Sequence, residues 1–224
     1  MRAILTALML TFATQAGAEC GNLCDQNWWK TATAADLQAE LDAGADAMAQ
    51  DEYSITPLHF AAQYGTPANI QAFIQALRVA GADVMARASL GETPLHLAAM
   101  ADTSANIQAL LDAGADVMAR GMIGDTPLHW AACNGLPEHI QALLEAGADV
   151  MARVTNGWTT LHGAAWYGTP ANIQTLLDAG ADVMARGEDG QTPLHLTARY
   201  GPPENIQVLL DAGAHAKAKN KKGE

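Results

Sequence analysis

Thr126-Pro127-Leu128-His129-Trp130-Ala131 is one of five related segments that decide the architecture of this 224-residue chain. The other copies begin at Thr56, Thr93, Thr159 and Thr192. Each copy closes on a histidine, and these are His59, His96, His129, His162 and His195. Their separations are 37, 33, 33 and 33 residues. A fixed period of this size predicts a solenoid of stacked repeats.

The unit at residues 122–154 carries the signals of two helices and a loop. Thr126 is a natural N-cap, because its hydroxyl can accept a bond from a free helix N–H, and a proline follows at the first helical position. Gly135 is predicted to end this helix in the left-handed conformation, and Pro137 begins a second helix. Gly147 ends the second helix before a projecting loop. Neither helix can bury its apolar stripe alone, so the units must stack.

These features resemble ankyrin repeats, whose period is about 33 residues and whose marker is T-P-L-H-x-A. The resemblance covers roughly residues 27–220 and includes an Ala-Gly-Ala-Asp turn that begins at Ala43, Ala80, Ala113, Ala146 and Ala179. It implies an all-α solenoid of stacked helix-turn-helix units with projecting β-hairpin or β-turn loops. In that family the motif histidine is a buried residue that links loop and helix by hydrogen bonds. A structural role is therefore expected for His59, His96, His129, His162 and His195.

The repeats divide the chain into a leader, a cap and five units. The predicted segments are a signal peptide at 1–18, an N-terminal segment with a capping half-repeat at 19–51, repeats at 52–88, 89–121, 122–154, 155–187 and 188–220, and a tail at 221–224. The first repeat has four extra residues near Leu77, close to one helical turn, which predicts a longer second helix. Trp28 and Trp29 replace the motif in the cap, where they are expected to shield the core; a ligand role is the alternative.

The N-terminus has the order of a secretory signal. Arg2 precedes a short apolar run, and Ala16-Gly17-Ala18 is a cleavage site of the A-x-A type. An ordinary N-terminal helix is the alternative, and the run is too short to span a bilayer, which needs ~20 residues. The mature protein is therefore expected in the periplasm or outside the cell. In such an oxidising compartment Cys20 and Cys24 are expected to form a disulfide.

Charge and motif content argue against several classes of function. The formal charge of −12 disfavours nucleic acid and anionic membranes as partners. No H-E-x-x-H, G-x-S-x-G or glycine-rich phosphate loop occurs. Histidines on helices stacked ~8–10 Å apart cannot share a zinc ion, whose bonds to nitrogen are ~2 Å. We therefore predict no catalytic residue, no metal and no cofactor. The recurring arginines are expected to pair with aspartates; they are Arg87, Arg120, Arg153 and Arg186.

The resemblance also implies a partner surface on the loop tips and the exposed ends of the first helices. Residues at these positions differ from copy to copy and are rich in aromatics and methionine, as interface centres are. The predicted partner contacts are Tyr53, Ile55, Tyr64, Leu90, Met100, Met122, Ile123, Trp158, Trp166, Tyr167 and Tyr200. The alternative is that several of them tuck against neighbouring tips. Trp158, Trp166 and Tyr167 are the first choice for hot spots, and we expect them to fill the space beside Gly163.

The sequence thus favours an exported, monomeric ankyrin scaffold that binds an unidentified protein and has no enzymatic activity. Two alternatives stay open. One is a thiol-redox or stress-protection protein of the periplasm that uses Cys20 and Cys24, or Cys133. The other is a secreted effector that acts on a host or competitor protein.

Overall fold

A computed structural model describes residues 20–80, 83–101 and 103–224, so the predicted signal peptide lies outside the described residues. A 3-10 turn at Gly21–Cys24 precedes a series of α-helices. These are α1 Gln26–Trp29, α2 Ala34–Asp42, α3 Pro57–Tyr64, α4 Pro67–Ala80, α5 Pro94–Ala98, α6 Ala105–Asp112, α7 Pro127–Asn134, α8 Pro137–Glu145, α9 Thr160–Tyr167, α10 Pro170–Asp178, α11 Pro193–Tyr200 and α12 Glu204–Asp211.

The helices stack in two layers. Each odd-numbered helix packs on the next odd-numbered helix, and the even-numbered helices do the same behind them. Across the described ranges the structure contains no strand, and its extended pairing is a single antiparallel bridge between Arg153 and Thr159. The predicted all-α solenoid is therefore confirmed, with loops that are turns. No helix in these ranges is both long enough and apolar enough for a membrane crossing.

Leucines and alanines form the seam between the layers. Leu128 and its equivalent Leu161 are fully buried, and Ala131 and Ala132 lie beside them with no exposure. Burial of one such leucine contributes about 2 kcal/mol, while the small alanines let neighbouring helices approach closely. The apolar positions of one short helix thus become core only when the next unit covers them.

Two glycines of the repeat serve different physical needs. Gly147 follows α8 with φ of 94°, the left-handed conformation that the sequence predicted. Gly135 ends α7 in an extended conformation, with φ of −81° and ψ of 177°, so the left-handed prediction for this residue was wrong. A Cβ atom at Gly135 would lie 2.6 Å from the carbonyl oxygen of Ala99 in the preceding repeat. Close approach of two backbones, not positive φ, requires glycine there.

The first repeat and the cap also follow from their sequences. Helix α4 has 14 residues against nine in α8, which confirms the longer helix predicted near Leu77. In the cap, Trp29 is fully buried, its indole N–H donates to the Leu23 carbonyl at 2.7 Å, and its ring lies 5.6 Å from Phe73. The structure joins Cys20 and Cys24 in a disulfide on the N-terminal side of this tryptophan. Trp29 is therefore a core residue, not a ligand contact.

The recurring arginines connect loops instead of pairing with aspartates. Arg120 donates to the carbonyl of Gly124 in its own loop at 2.9 Å and to that of Arg153 in the next loop at 3.0 Å. Arg87 makes the corresponding bonds one repeat earlier, and Arg186 makes them two repeats later. The expectation of Asp–Arg pairs was wrong, because the guanidinium satisfies loop carbonyls that no strand pairing satisfies.

Candidate functional site

An apolar cavity opens between the loop tips of repeats 89–121, 122–154 and 155–187 and the first helices α7 and α9. Its volume is about 270 Å³, and its walls are almost entirely apolar. Four predicted partner contacts line it, namely Leu90, Met122, Ile123 and Trp158. Met122 is the most open of them at 64% exposed. A cavity of this size and composition can accept a side chain or a small apolar molecule.

The structure adds wall residues that the sequence did not single out. Trp130 lies in the wall, and its indole N–H donates to the Asp125 carboxylate at 2.6 Å. Glu92 and Cys133 also line the cavity. Trp130 occupies the variable fifth position of T-P-L-H-x-A, where the other copies have Phe60, Leu97, Gly163 and Leu196. That variation was the available signal, and it was missed because the motif was treated as wholly structural.

Gly163 leaves space that becomes part of this cavity. Trp158 lines the cavity with Gly163, whereas only the Cys133 sulfur lies near the position of a Cβ on Gly163, at 2.8 Å. The expectation that Trp158, Trp166 and Tyr167 fill the space beside Gly163 was therefore wrong. Their rings form a separate stack, because aromatic faces pack best on one another.

That stack continues the surface from the cavity towards the last repeat. Trp158 meets Trp166 edge-on at 5.5 Å between ring centroids. Trp166 is stacked on Tyr167 at 4.7 Å and on Tyr200 at 4.9 Å. Arg199 lies over the outer face of Tyr200, which is 49% exposed. We call Trp158, Trp166, Tyr167 and Tyr200 the aromatic strip.

The remaining predicted contacts lie away from the cavity. Ile55 is 5% exposed and packs in the core, so its assignment to the partner surface was wrong. The Asp51 carboxylate accepts its N–H at 2.8 Å, which folds the loop so that Ile55 points inward. Tyr53 is half-buried against the core, and Tyr64 is half-buried with the Lys30 ammonium 5.5 Å from its ring. Met100 is half-buried after α5.

A family model describes the architecture seen in this structure. The model for ankyrin repeats, taken in sets of three copies, matches residues 32–121, 69–154, 119–187 and 152–220. The chain belongs to the ankyrin repeat family. Ankyrin repeats mediate protein–protein interaction and are generally non-enzymatic. No curated protein matches the chain.

Within the ankyrin motif, a shared set of hydrogen bonds fixes the histidine rings. The N–H of Thr159 donates to Nδ1 of His162 at 3.1 Å, so the ring proton is on Nε2. Nε2 then donates to the Gln191 carbonyl in the next repeat at 3.1 Å. Burial lowers the pKa to about 4 in four of these rings, His59, His96, His129 and His162. They are therefore neutral at neutral pH, and in His59, His96 and His162 the single ring proton joins neighbouring repeats.

His129 departs from this pattern at the cavity. It is 7% exposed, and Thr126 donates to its Nδ1 at 3.2 Å, as in the other copies. Its Nε2 makes no hydrogen bond to any described residue. The carbonyl at the corresponding place belongs to Trp158, which lines the cavity beside it. The repeat interface is therefore less fully bonded here than at the neighbouring repeats.

His139 lies outside the motif, and the sequence analysis did not single it out. It is fully buried, and its Nδ1 accepts the Leu136 N–H at 2.8 Å. It stands where other repeats have an asparagine. Asn172 is an example, whose amide donates to the Ala132 and Gly135 carbonyls of the preceding repeat. A comparison of the second helices, in place of the motif alone, would have found this position.

The chemistry of this surface suits binding. Burial raises the pKa of the Cys133 thiol to about 12, with the Asp125 charge adding to it, so the nucleophilic thiolate is scarce at neutral pH. In the part of the chain that the structure describes, no group of three His, Cys, Asp or Glu side chains converges to hold a metal. What the ankyrin stack presents instead is a cavity, a continuous aromatic strip and carboxylates at its edge.

Proposed function

We propose that this chain is an exported ankyrin scaffold that holds a partner protein on the cavity and the aromatic strip. The observation that carries the proposal is the junction of the two at Trp158, which lines the cavity and also contacts Trp166 at 5.5 Å. Interface centres are enriched in Trp, Tyr and Met, and a large apolar patch on a monomer usually marks a binding site.

The cysteines favour this scaffold over the thiol-redox alternative. Redox-active cysteines have a lowered pKa and sit in an accessible, positively charged environment. The Cys133 pKa is raised, and Cys20 and Cys24 are 3% and 7% exposed within their disulfide. The secreted-effector alternative concerns the destination of the protein and uses the same binding surface.

Export is supported by the signal-like order of residues 1–18 and by the disulfide directly after them. Expression of the full chain in a bacterium should give a periplasmic or secreted protein whose first residue is Glu19. Intact mass and N-terminal sequencing of that fraction measure the cleavage. An uncleaved chain that stays in the cytoplasm with reduced Cys20 would contradict export.

Partner binding is tested with paired tryptophan variants. We expect Trp158→Ala with Trp166→Ala to abolish capture of the partner from the exported fraction and to leave cooperative unfolding intact. Trp28→Ala is the matched control, because it removes a half-buried tryptophan from the opposite end of the solenoid. Size-exclusion chromatography with light scattering tests the proposed monomer.

If capture by the double variant equals that of the native chain, the partner does not use this surface. If the double variant loses its helical content, the two tryptophans are core residues and the assignment fails. Circular dichroism decides between these outcomes before any binding experiment.

A further inference from the structure

One carboxylate in the cavity wall is buried and is held by backbone N–H groups. Glu92 is 4% exposed, and its Oε2 accepts the N–H of Leu90 at 3.1 Å. The N–H of Glu92 itself is a second backbone donor to this carboxylate. A carboxylate offers about four acceptor sites, so a buried one with two N–H donors still has capacity for an incoming donor.

A second carboxylate increases the negative charge at the same place. Asp125 lines the cavity with Glu92, and after burial its like charge is the next influence that raises the Glu92 pKa. In the same loops, Arg87 and Arg120 donate through Nη1 to backbone carbonyls. The cavity wall therefore brings two carboxylates together at one place.

The rest of the wall is apolar, and it determines which kind of chemical group can occupy the cavity. Trp130 and Trp158 contribute indole rings, and Met122 and Ile123 contribute aliphatic surface. An occupant must therefore be apolar along its length and cationic at one end. An arginine side chain has that form, because its three-carbon stem is apolar and its planar guanidinium stacks on aromatic rings and pairs with carboxylates through two hydrogen bonds.

We propose that the cavity receives one arginine side chain of the partner protein, with its guanidinium placed at Glu92 and Asp125. This inference rests on the proposed function, in which the same surface binds a protein. The formal charge of −12 on the whole chain would attract a basic partner over a distance.

The test uses the full chain and a small probe in place of the unknown partner. Binding of n-propylguanidinium, which reproduces the arginine side chain, is compared with binding of its neutral isostere n-propylurea. The indole N–H signals of Trp130 and Trp158 are followed by NMR and assigned with Trp→Phe variants. We expect propylguanidinium to bind at least about tenfold more tightly than propylurea, the scale of one charged hydrogen-bonded pair.

Glu92→Gln keeps an acceptor for the Leu90 N–H and removes the charge. It should reduce propylguanidinium binding to the level of propylurea, while circular dichroism shows an unchanged fold. Glu188→Gln is the matched control, because Glu188 is an exposed carboxylate on the loop of another repeat and does not line the cavity. That variant should bind both probes as the native chain does.

Three results would overturn the inference. Equal binding of both probes by the native chain would mean that the cavity takes an uncharged group. Tighter binding of n-butylammonium would replace arginine by lysine. Unshifted indole signals with every probe would mean that the cavity is closed to ligands. None of these results depends on partner capture by the tryptophan variants, so failure of this inference is distinguishable from failure of the proposed function.

Discussion

Mild acid should strongly destabilise this protein, because its core holds several neutral imidazoles. Burial lowers the pKa of His59, His96, His129 and His162 to about 4, against about 6.5 for an unfolded histidine. Between these two values the unfolded chain binds protons that the folded chain does not. The contribution of these histidines to the free energy of unfolding is therefore fully present above pH of about 6.5. It is lost as the pH falls towards 4.

The size of the loss follows from the same values. Between pH of about 7 and about 5.5, linkage gives a loss of about 1.2 kcal/mol for each of these four histidines. The sum is about 5 kcal/mol. Glu92 acts in the opposite direction, because burial raises its pKa, but it is a single group. A loss of this size is a large part of the stability of a typical domain, about 5–15 kcal/mol.

The assay is urea unfolding followed by far-ultraviolet circular dichroism at the two pH values. His162→Gln should reduce the pH-dependent loss by about one quarter, since it removes one of four comparable groups. His215→Gln should leave the loss unchanged, because His215 is exposed and outside the motif. A change in unfolding free energy below about 1 kcal/mol over this range would refute the reasoning, because it would mean that the imidazoles titrate normally in the folded state.

Three further predictions concern packing around the cavity. Gly168→Ala should destabilise the fold by about 2 kcal/mol or more in urea unfolding, because its Cβ would lie 2.5 Å from the Ala132 carbonyl oxygen; a neutral effect would contradict the close approach. Gly163→Ala should increase the free energy of unfolding by up to about 1 kcal/mol, through helix propensity, only in a Cys133→Ala background. The reason is that the Cys133 sulfur lies where the new Cβ would be. A double-mutant cycle that shows no coupling between the two positions would contradict this. Cys133 should react with a disulfide reagent far more slowly in the native protein than in urea, since burial raises its pKa to about 12, and equal rates would contradict that burial.

The repeat motif was sufficient to predict the stack, because its period, caps and apolar stripe act within one unit. The two-layer order and the longer α4 followed from it. Gly135 shows the limit of such reasoning, since glycine is selected both by positive φ and by close backbone approach, and the sequence alone does not separate the two. The arginines show the same limit, because carbonyls that accept hydrogen bonds leave no sequence pattern.

The sequence predicted only part of the candidate surface, because it does not show which motif residues face a cavity. Variable positions on the loop tips indicated Met122, Ile123 and Trp158, which do line the cavity. Glu92 and Trp130 were missed because they lie within or beside the motif, where repetition suggested a structural role. Whether such a residue faces the core or a cavity depends on the neighbouring repeat, here on the missing side chain at Gly163.

The loop arginines have a consequence for how the length of such a chain can change. Each arginine donates to its own loop and to the loop 33 residues later, and each intervening loop receives the same bond from the repeat before it. A duplicated or deleted unit of this length would therefore present the same carbonyls to the same donors. Removal of residues 122–154 would place Arg120 opposite the Arg186 carbonyl, with its bonding intact, yet it would eliminate Met122, Trp130 and the cavity. Growth or shortening of the solenoid and change of its binding chemistry can thus proceed independently.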